Sequence, residues 1–367
     1  MELLAIESLL ASVVASPLLL AVACCSVLHV AACVLNIIWS VCAGYLLGEA
    51  DFWTKLLPEK RAYWRNRVAW VTGSSSGVGL SLCRLLAQRG CRLIMSSRKM
   101  DDLQAAKQDV VSFCGSRGLQ KSESDFLLLP FDLNNLESFE TIVKDAISWS
   151  RDGRIDFLFN NAGISSRGMF MSYDATDKIL TIDLLAQIKL TKLVLPNMAK
   201  GGFGHIIFTN SACSKLVTCG HEPYAVAKRG LLCFAEALSR EFKAKNMNIA
   251  VTTAILGYVR TSIGSRTLGP TGKALTDDSS YMNPYVAAGM PPDTVAKLML
   301  KGGSNKLREC WIANNPTLVS IYLQACVPGL ISFLLDLRAE AHAAAVEEEV
   351  RELEEIAQRV RQTCPHA

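Results

Sequence analysis

"RVAWVTGSSSGVG", Arg67–Gly79, is a short apolar run that passes straight into a glycine-rich turn and from there into a helical sequence. The run shows no polar/apolar alternation, so it reads as a strand covered on both faces, as in a parallel sheet. In the turn, Gly73 permits a sharp change of direction, Gly77 lets the backbone approach a pyrophosphate, and Gly79 lets the helix pack close to the sheet. Ser75, Ser76 and Val78 complete a loop whose free amides, at a helix start, face an anionic ligand. Glycine and serine also collect in flexible turns. The position between a first strand and a first helix is what makes this one a dinucleotide site.

Outward from this stretch, strand-like and helix-like segments alternate. "CRLIMS" (Cys91–Ser96), "FLLLPF" (Phe126–Phe131), "IDFLF" (Ile155–Phe159), "HIIFTN" (His205–Asn210), "IAVTTAI" (Ile249–Ile255) and "CWIA" (Cys310–Ala313) read as further buried strands. Helical lengths separate most of them, among them Val78–Arg89, Lys99–Phe113, Asp174–Met198 and Tyr224–Lys243. The expectation is a doubly wound α/β fold: a mostly parallel, seven-stranded sheet with helices on both faces, spanning residues 67–315. Two regions break the rhythm. Ser262–Pro292 is rich in Gly, Pro and Ser and long enough to be a mobile lid over a pocket. Pro316–Leu337 is apolar but contains Gln324, Pro328, Gly329 and Asp336, which suits a membrane-surface element or a substrate-channel wall better than a clean span. The charged last segment, 338–367, places Val346, Val350, Leu353, Ala357 and Val360 at alternating spacings of four and three. Two heptads favour packing onto the domain over self-association.

The chain of 367 residues is half hydrophobic with a formal charge of only +4. It has no concentrated basic stripe, which argues against nucleic acid as a partner. The 13 cysteines are odd in number and form no Cys-x-x-Cys, and four of them, Cys24, Cys25, Cys33 and Cys42, lie in an apolar segment. They read as reduced thiols of a domain facing the cytosol. Five histidines without ligand spacing argue against a metal site. From Ser8 to Gly48 there is no Asp, Glu, Lys or Arg, whereas one membrane-spanning helix needs about 20 apolar residues. Residues 1–50 are therefore expected to anchor the chain in a membrane, as a helical hairpin or as one span with an interfacial extension. The basic linker 51–66 follows, and Lys55, Lys60, Arg61, Arg65 and Arg67 against Glu2 and Glu7 on the other flank put the large domain on the cytosolic side.

The second strand runs into "SSRK", where an acidic residue would hold a ribose 2′-hydroxyl. Arg98 instead matches a 2′-phosphate, so NADP(H) is expected over NAD(H). Asp132, after the third strand, is placed to meet the adenine. The fourth ends in "NNAG", whose Asn160, Ala162 and Gly163 leave room for the cofactor ribose. Tyr224 and Lys228, four apart in a helical sequence, share one helix face, and a cation there can stabilise a phenolate. Alone, that pair is common. Together, "TGSSSGVG", "NNAG", Ser211 thirteen residues before the tyrosine, and "YAVAK" resemble the short-chain dehydrogenase/reductase family, in order over Arg67–Ala313.

That resemblance implies a Rossmann-type fold and a Ser-Tyr-Lys site. Tyr224 is then the general acid or base at the carbonyl oxygen, and Ser211, rather than neighbouring Ser214, holds the substrate oxygen. Lys228 lowers the Tyr224 pKa and holds the nicotinamide ribose, while Thr261 belongs to the cofactor site. Two positions depart from the family pattern. Asp183 stands where an Asn usually helps hold a water that joins the lysine to solvent, which alters the donor–acceptor balance of the proton relay. Leu256-Gly257 replaces the usual Pro-Gly after the sixth strand. "NNAGISSRGMF" and "LRECWIANNPTLVSIYLQACVPGL" are similar to the membrane-bound member 7 and 7B group of the family. The group implies endoplasmic-reticulum or related membranes and lipophilic substrates such as retinoids, steroids or acyl-dihydroxyacetone phosphate. An acyl-dihydroxyacetone-phosphate or 3-ketosphinganine-type reductase is the alternative within the class, with Arg260, Arg266 and Lys273 as phosphate partners or as solvated loop charges. From a different class, a nucleotide-binding membrane scaffold without turnover stays open, as does assembly into a homo-oligomer.

Overall fold

The computed structural model describes residues 48–276 and 281–363, with isolated positions further upstream. Strands β1 (Val68–Thr72), β2 (Arg92–Ser96), β3 (Phe126–Leu128), β4 (Phe157–Asn160), β5 (Gly204–Ser211), β6 (Ile249–Leu256) and β7 (Glu309–Ile312) form one sheet in the order β3-β2-β1-β4-β5-β6-β7. Every pairing is parallel. The order reverses between β1 and β4, and such a switch point opens a crevice at the carboxyl ends of the strands.

Side chains alternate across each strand and feed two cores. In β1, Ala69 and Val71 face one core, and Val68 and Trp70 face the other. In β4, Phe157 and Phe159 join the first and Leu158 the second. Helices α1 (Phe52–Leu56), α2 (Gly77–Gln88), α3 (Met100–Gly115), α4 (Phe139–Trp149), α5 (Thr176–Leu180), α6 (Ala186–Lys200) and α7 (Glu222–Ala244) are followed by α8 (Pro284–Ala287), α9 (Pro292–Ser304), α10 (Thr317–Cys326), α11 (Pro328–Asp336) and α12 (Ala339–Thr363). The first core packs under α2, α3 and α9, the second under α4, α6 and α7. In α4 the buried residues Phe139, Val143 and Ala146 recur at helical spacing. Trp70 is fully buried, and truncating such a residue costs about 3–5 kcal/mol.

The sequence reading and the structure differ along Asp174–Met198. A single helix is expected there, but a π-helical turn, Thr181–Leu185, lies between α5 and α6, with the Ala186 amide reaching back to the Thr181 carbonyl. The wider turn accommodates one extra residue, and such turns gather at functional sites. It carries the fully buried Asp183.

The lid segment is tied at both flanks. Leu268 pairs with Ser166 and Val259 with Met290, and the Arg260 amide donates to the Met290 carbonyl at 2.9 Å. The segment from Gly48 docks on the far sheet edge. Asp51 caps α1 by accepting from the Trp53 and Thr54 amides, and its Oδ2 accepts from the Trp311 amide at 2.7 Å. The Phe52 amide donates to the Tyr322 hydroxyl of α10 at 2.9 Å. Among the described residues no helix is long and apolar enough to cross a membrane. The run Ser8–Gly48, on which the anchor expectation rests, lies almost entirely outside them. As expected, α12 packs back on the domain, with Val346, Val350 and Leu353 buried against Leu275.

Candidate active site

A cleft of about 840 Å³ opens over the carboxyl ends of the strands. One end is built by backbone. The turn after β1 holds Gly73 at φ +65° and Gly77 at φ +56°, and a Cβ at Gly79 would strike the Gly73 carbonyl. These conformations and contacts admit only glycine at low cost. Thr72 then ties the turn to the end of β4: its Oγ1 accepts from the Asn161 and Ala162 amides, each at 3.0 Å, and donates to the Phe159 carbonyl at 3.1 Å. Ser75, Ser76, Val78, Ala162, Gly163, Asp132 and Thr261 all line the cleft. The Asp132 carboxylate also accepts from the Asn134 amide at 2.9 Å.

Asn160 does not reach this cavity. Its side chain is 1% exposed and donates to Thr191 Oγ1 at 3.0 Å, behind the sheet end. The next residue, Asn161, lines the cleft, donating to the Thr72 carbonyl at 3.0 Å and accepting from Thr209 Oγ1 at 3.1 Å. In a strand, adjacent side chains point to opposite faces. Of the two asparagines in "NNAG", the second is the one that lines the cleft.

Arg98 lines the same end, and sequence reasoning did not pair it with Arg266. From the lid, Arg266 donates to Ser76 Oγ at 3.1 Å. Burial and the neighbouring charge of Arg98 both push its pKa below the ordinary arginine value, against the pull of Asp102. Two guanidinium groups brought together at their own electrostatic expense form a site for an anion. Arg260 and Lys273 are exposed and stand outside the cleft lining, so of the three cations in or beside the lid only Arg266 lines the cavity.

Midway along the cleft, β5 and α7 bring Ser211, Tyr224 and Lys228 together. Ser211 accepts from the Cys213 amide at 3.2 Å and lines the cleft beside Tyr224. Ser214 is fully buried and donates to the Ser211 carbonyl at 2.7 Å, away from the cavity. Lys228 Nζ donates to the Thr209 carbonyl at 3.4 Å and stands 5.6 Å from the Tyr224 ring centre. A lowered Tyr224 pKa is expected from that lysine, but the phenol is held above its ordinary value. Burial raises it most, and Cys213 and Asp183 add to the rise against a smaller pull from Ser211. Tyr224 nevertheless lines the cleft.

Asp183 stands behind this group. Its Oδ1 accepts from the Ile164 amide at 2.9 Å, while Oδ2 is buried without a partner. A Cβ on Gly163 would lie 2.8 Å from Oδ1 and 3.4 Å from Lys228 Nζ, so the glycine lets carboxylate and ammonium share one small space. Burial lifts the Asp183 pKa to about 6, against the opposing pull of Lys228 and the Ile164 amide.

The other end of the cleft was not foreseen. Arg167 donates to Glu349 of α12 through Nε at 2.9 Å and Nη2 at 2.7 Å. Its Nη1 meets His221 Nε2 at 2.9 Å, and His221 Nδ1 meets the Ser166 carbonyl at 2.5 Å. A carbonyl only accepts and a guanidinium only donates, so His221 is neutral, with its proton on Nδ1. Burial and Arg167 push its pKa down to about 4, in agreement. Tyr281 and Asn283 of the lid donate to Glu349 Oε1.

A family model described as short chain dehydrogenase matches residues 67–268. The Homo sapiens dehydrogenase/reductase SDR family member 7 is 32% identical over 274 residues, covering 73% of this chain and 77% of that protein. An alcohol dehydrogenase from Thermococcus sibiricus, complexed with 5-hydroxy-NADP, superposes with a TM-score of 0.53 at 21% identity, over 68% of this chain and 97% of that one. A Burkholderia phymatum short chain dehydrogenase/reductase in complex with NAD gives 0.59 at 18% identity, over 73% and 96%. The chain belongs to the short-chain dehydrogenase/reductase family of oxidoreductases, whose fold binds a nicotinamide dinucleotide.

Proposed function

We propose that this protein is an NADP(H)-dependent reductase of a lipophilic ketone or aldehyde, acting at a membrane surface. The observation that carries the reading is the convergence, in one cleft, of the glycine turn, the Arg98–Arg266 pair and the Ser211, Tyr224 and Lys228 side chains. The residues fit the cofactor. The turn amides from Ser76 to Gly79 would hold the pyrophosphate, Arg98 and Arg266 the 2′-phosphate, and Asn161 and Lys228 the nicotinamide ribose. The bound cofactor supplies the hydride, and the protein supplies orientation and a proton.

Tyr224 is protonated at neutral pH because burial raises its pKa, which suits the acid that protonates a carbonyl oxygen during reduction. Ser211 donates to the same oxygen as charge develops there. Proton resupply runs past Lys228 and Asp183. The rest of the cleft is lined by Tyr258, Val259, Tyr281, Tyr285, Val286 and Leu353, surfaces that suit an apolar substrate body.

Membrane association rests on two observations. The run Ser8–Gly48 carries no charged residue, and the segment that follows it is tied to α10 by the Phe52 amide and the Tyr322 hydroxyl. The adjoining α11 exposes Leu330, Phe333 and Leu334, with Leu337 just beyond it. Endoplasmic-reticulum placement with a cytosolic domain is carried by the charge flanks and the group resemblance alone.

NADPH oxidation by purified protein with a panel of lipophilic carbonyls, beside Tyr224→Phe, tests the reading. Turnover by the wild type and its loss in the variant are expected. Binding of NADPH with no turnover by either would instead support a nucleotide-binding scaffold, and equal affinities for NADH and NADPH would overturn the cofactor choice.

A further inference from the structure

Ser211 ends the strand β5, whereas Tyr224 and Lys228 belong to the helix α7, so neither element alone fixes the hydroxyl against the phenol and the ammonium. Two hydrogen-bonded arms join them. The first runs through Asn210. Side chains alternate along a strand, so Asn210 shares the face of Phe208, which belongs with Leu231 of α7 to the second core. An amide on such a face is costly to bury unless both of its groups are bonded, and here both are. Its Nδ2 donates to the Lys228 carbonyl at 2.9 Å, and its Oδ1 accepts from the Ser211 amide at 2.7 Å. The residue is 2% exposed, which leaves little room for water to compete.

The second arm holds the other side of Ser211. Its carbonyl accepts from the hydroxyl of the fully buried Ser214 at 2.7 Å, and the Ser214 carbonyl accepts from Arg229 Nη1, also at 2.7 Å. Arg229 directly follows Lys228, so both arms start from one turn of α7. Between them, Ser211 Oγ accepts from the Cys213 amide at 3.2 Å, which leaves its own proton free to be donated into the cleft. A displacement of about 1 Å between reacting groups can cost about 100-fold in rate. Resting on the carbonyl-reductase reading above, we propose that Asn210 and Arg229 are positioning residues, which brace Ser211 against the Lys228 turn so that its hydroxyl meets the carbonyl oxygen that Tyr224 protonates.

The test measures kcat, ketone KM and NADPH affinity of the full chain with the fastest carbonyl of the lipophilic panel, rates being counted per NADPH-binding site. Arg229 is exposed, so Arg229→Ala removes its arm without opening the core. Its kcat should fall about tenfold, while ketone KM and NADPH affinity change by less than about twofold. Arg229→Lys, which keeps a donor, should recover part of the loss. Asn210→Ala should lower kcat about 50-fold with the same split. Val143→Ala, a core truncation in α4 away from the cleft lining, lowers the melting temperature and should leave kcat per site unchanged. If Asn210→Ala does not fold, the two Arg229 variants decide alone. An unchanged kcat in Arg229→Ala overturns the brace, as does a rise in ketone KM with kcat intact, or a fall in kcat that Val143→Ala shares. A wild type that turns over no carbonyl overturns the reductase reading and the brace together, and its own silence tells that outcome from the others.

Discussion

The two ends of the cleft are made differently. The dinucleotide end is shaped mainly by backbone: Gly73 and Gly77 in left-handed conformations, Gly79 against a carbonyl, and the end of β4 pinned by Thr72. The substrate end is shaped by side chains. Arg167 and Glu349 meet across 182 residues of sequence, and His221 and His342 come from the starts of different helices. A site made of backbone needs particular residue types at particular steps, so it is written locally. A site made of side chains needs only that distant elements pack together, which leaves no local pattern.

Removing one atom at the junction of the two ends should have the largest effect. Tyr224→Phe takes away the proton donor while leaving the ring packed, so kcat should fall about 1,000-fold, with NADPH affinity changed by less than about threefold. Single-turnover NADPH oxidation measures the first and fluorescence titration the second. Activity within tenfold of wild type would place the proton source elsewhere.

A cut at the substrate end should leave the dinucleotide end intact. Glu349→Ala strands the guanidinium of Arg167, itself 8% exposed, and a buried charge stripped of its partner costs about 3–5 kcal/mol. Denaturant unfolding should record a loss of about 3 kcal/mol, with His221 retaining part of the contact. NADPH affinity of the folded variant should not change. If it weakens as much as stability does, the two ends are one cooperative unit and the contrast between them fails.

The cofactor end has its own discriminating test. Arg98→Ala should weaken NADPH about 30-fold and Arg266→Ala about 5- to 10-fold, both leaving NADH unaffected, as expected for lost charge-assisted hydrogen bonds. A double variant weaker than either single one, but by less than their product, would show the two groups acting on one phosphate.

These two arginines also mark how far the sequence could be read. Arg98 was legible because it follows a strand whose end has a fixed relation to the glycine turn. Arg266 was visible only as one of three cations in or beside the lid, since nothing in a Gly- and Pro-rich segment says which way a side chain faces. The seven strands were legible from apolar runs because both sheet faces are buried. The "NNAG" motif was located, but composition does not say which of its two adjacent asparagines faces the cavity, and the one that lines the cleft is Asn161. The π-helical turn escaped because a one-residue insertion in a helix changes no composition and shifts the periodicity only locally. That turn is what carries Asp183 to Lys228.

Asp183 therefore tests whether the relay, and not only the cleft, differs from the family pattern. Its pKa of about 6 in the fold, against an ordinary 3.8, means the folded protein binds this proton more tightly than the unfolded chain does. The stabilisation is thus complete below pH 4, falls as pH rises from about 4 to 6, and is absent above. Above pH 6 the protein carries the cost of a buried carboxylate, on the order of 2–3 kcal/mol. Asp183→Asn keeps an oxygen for the Ile164 amide and replaces the partnerless Oδ2 with an uncharged group. The variant should be about 2 kcal/mol more stable than wild type at pH 8, with the difference shrinking towards zero at pH 4. Chemical unfolding at the two pH values measures it. A kcat/KM limb near pH 6 should be present in the wild type and absent in the variant. A stability difference that does not change with pH would mean that the buried carboxylate keeps its charge through Lys228 at every pH, and that the relay gains nothing from its titration.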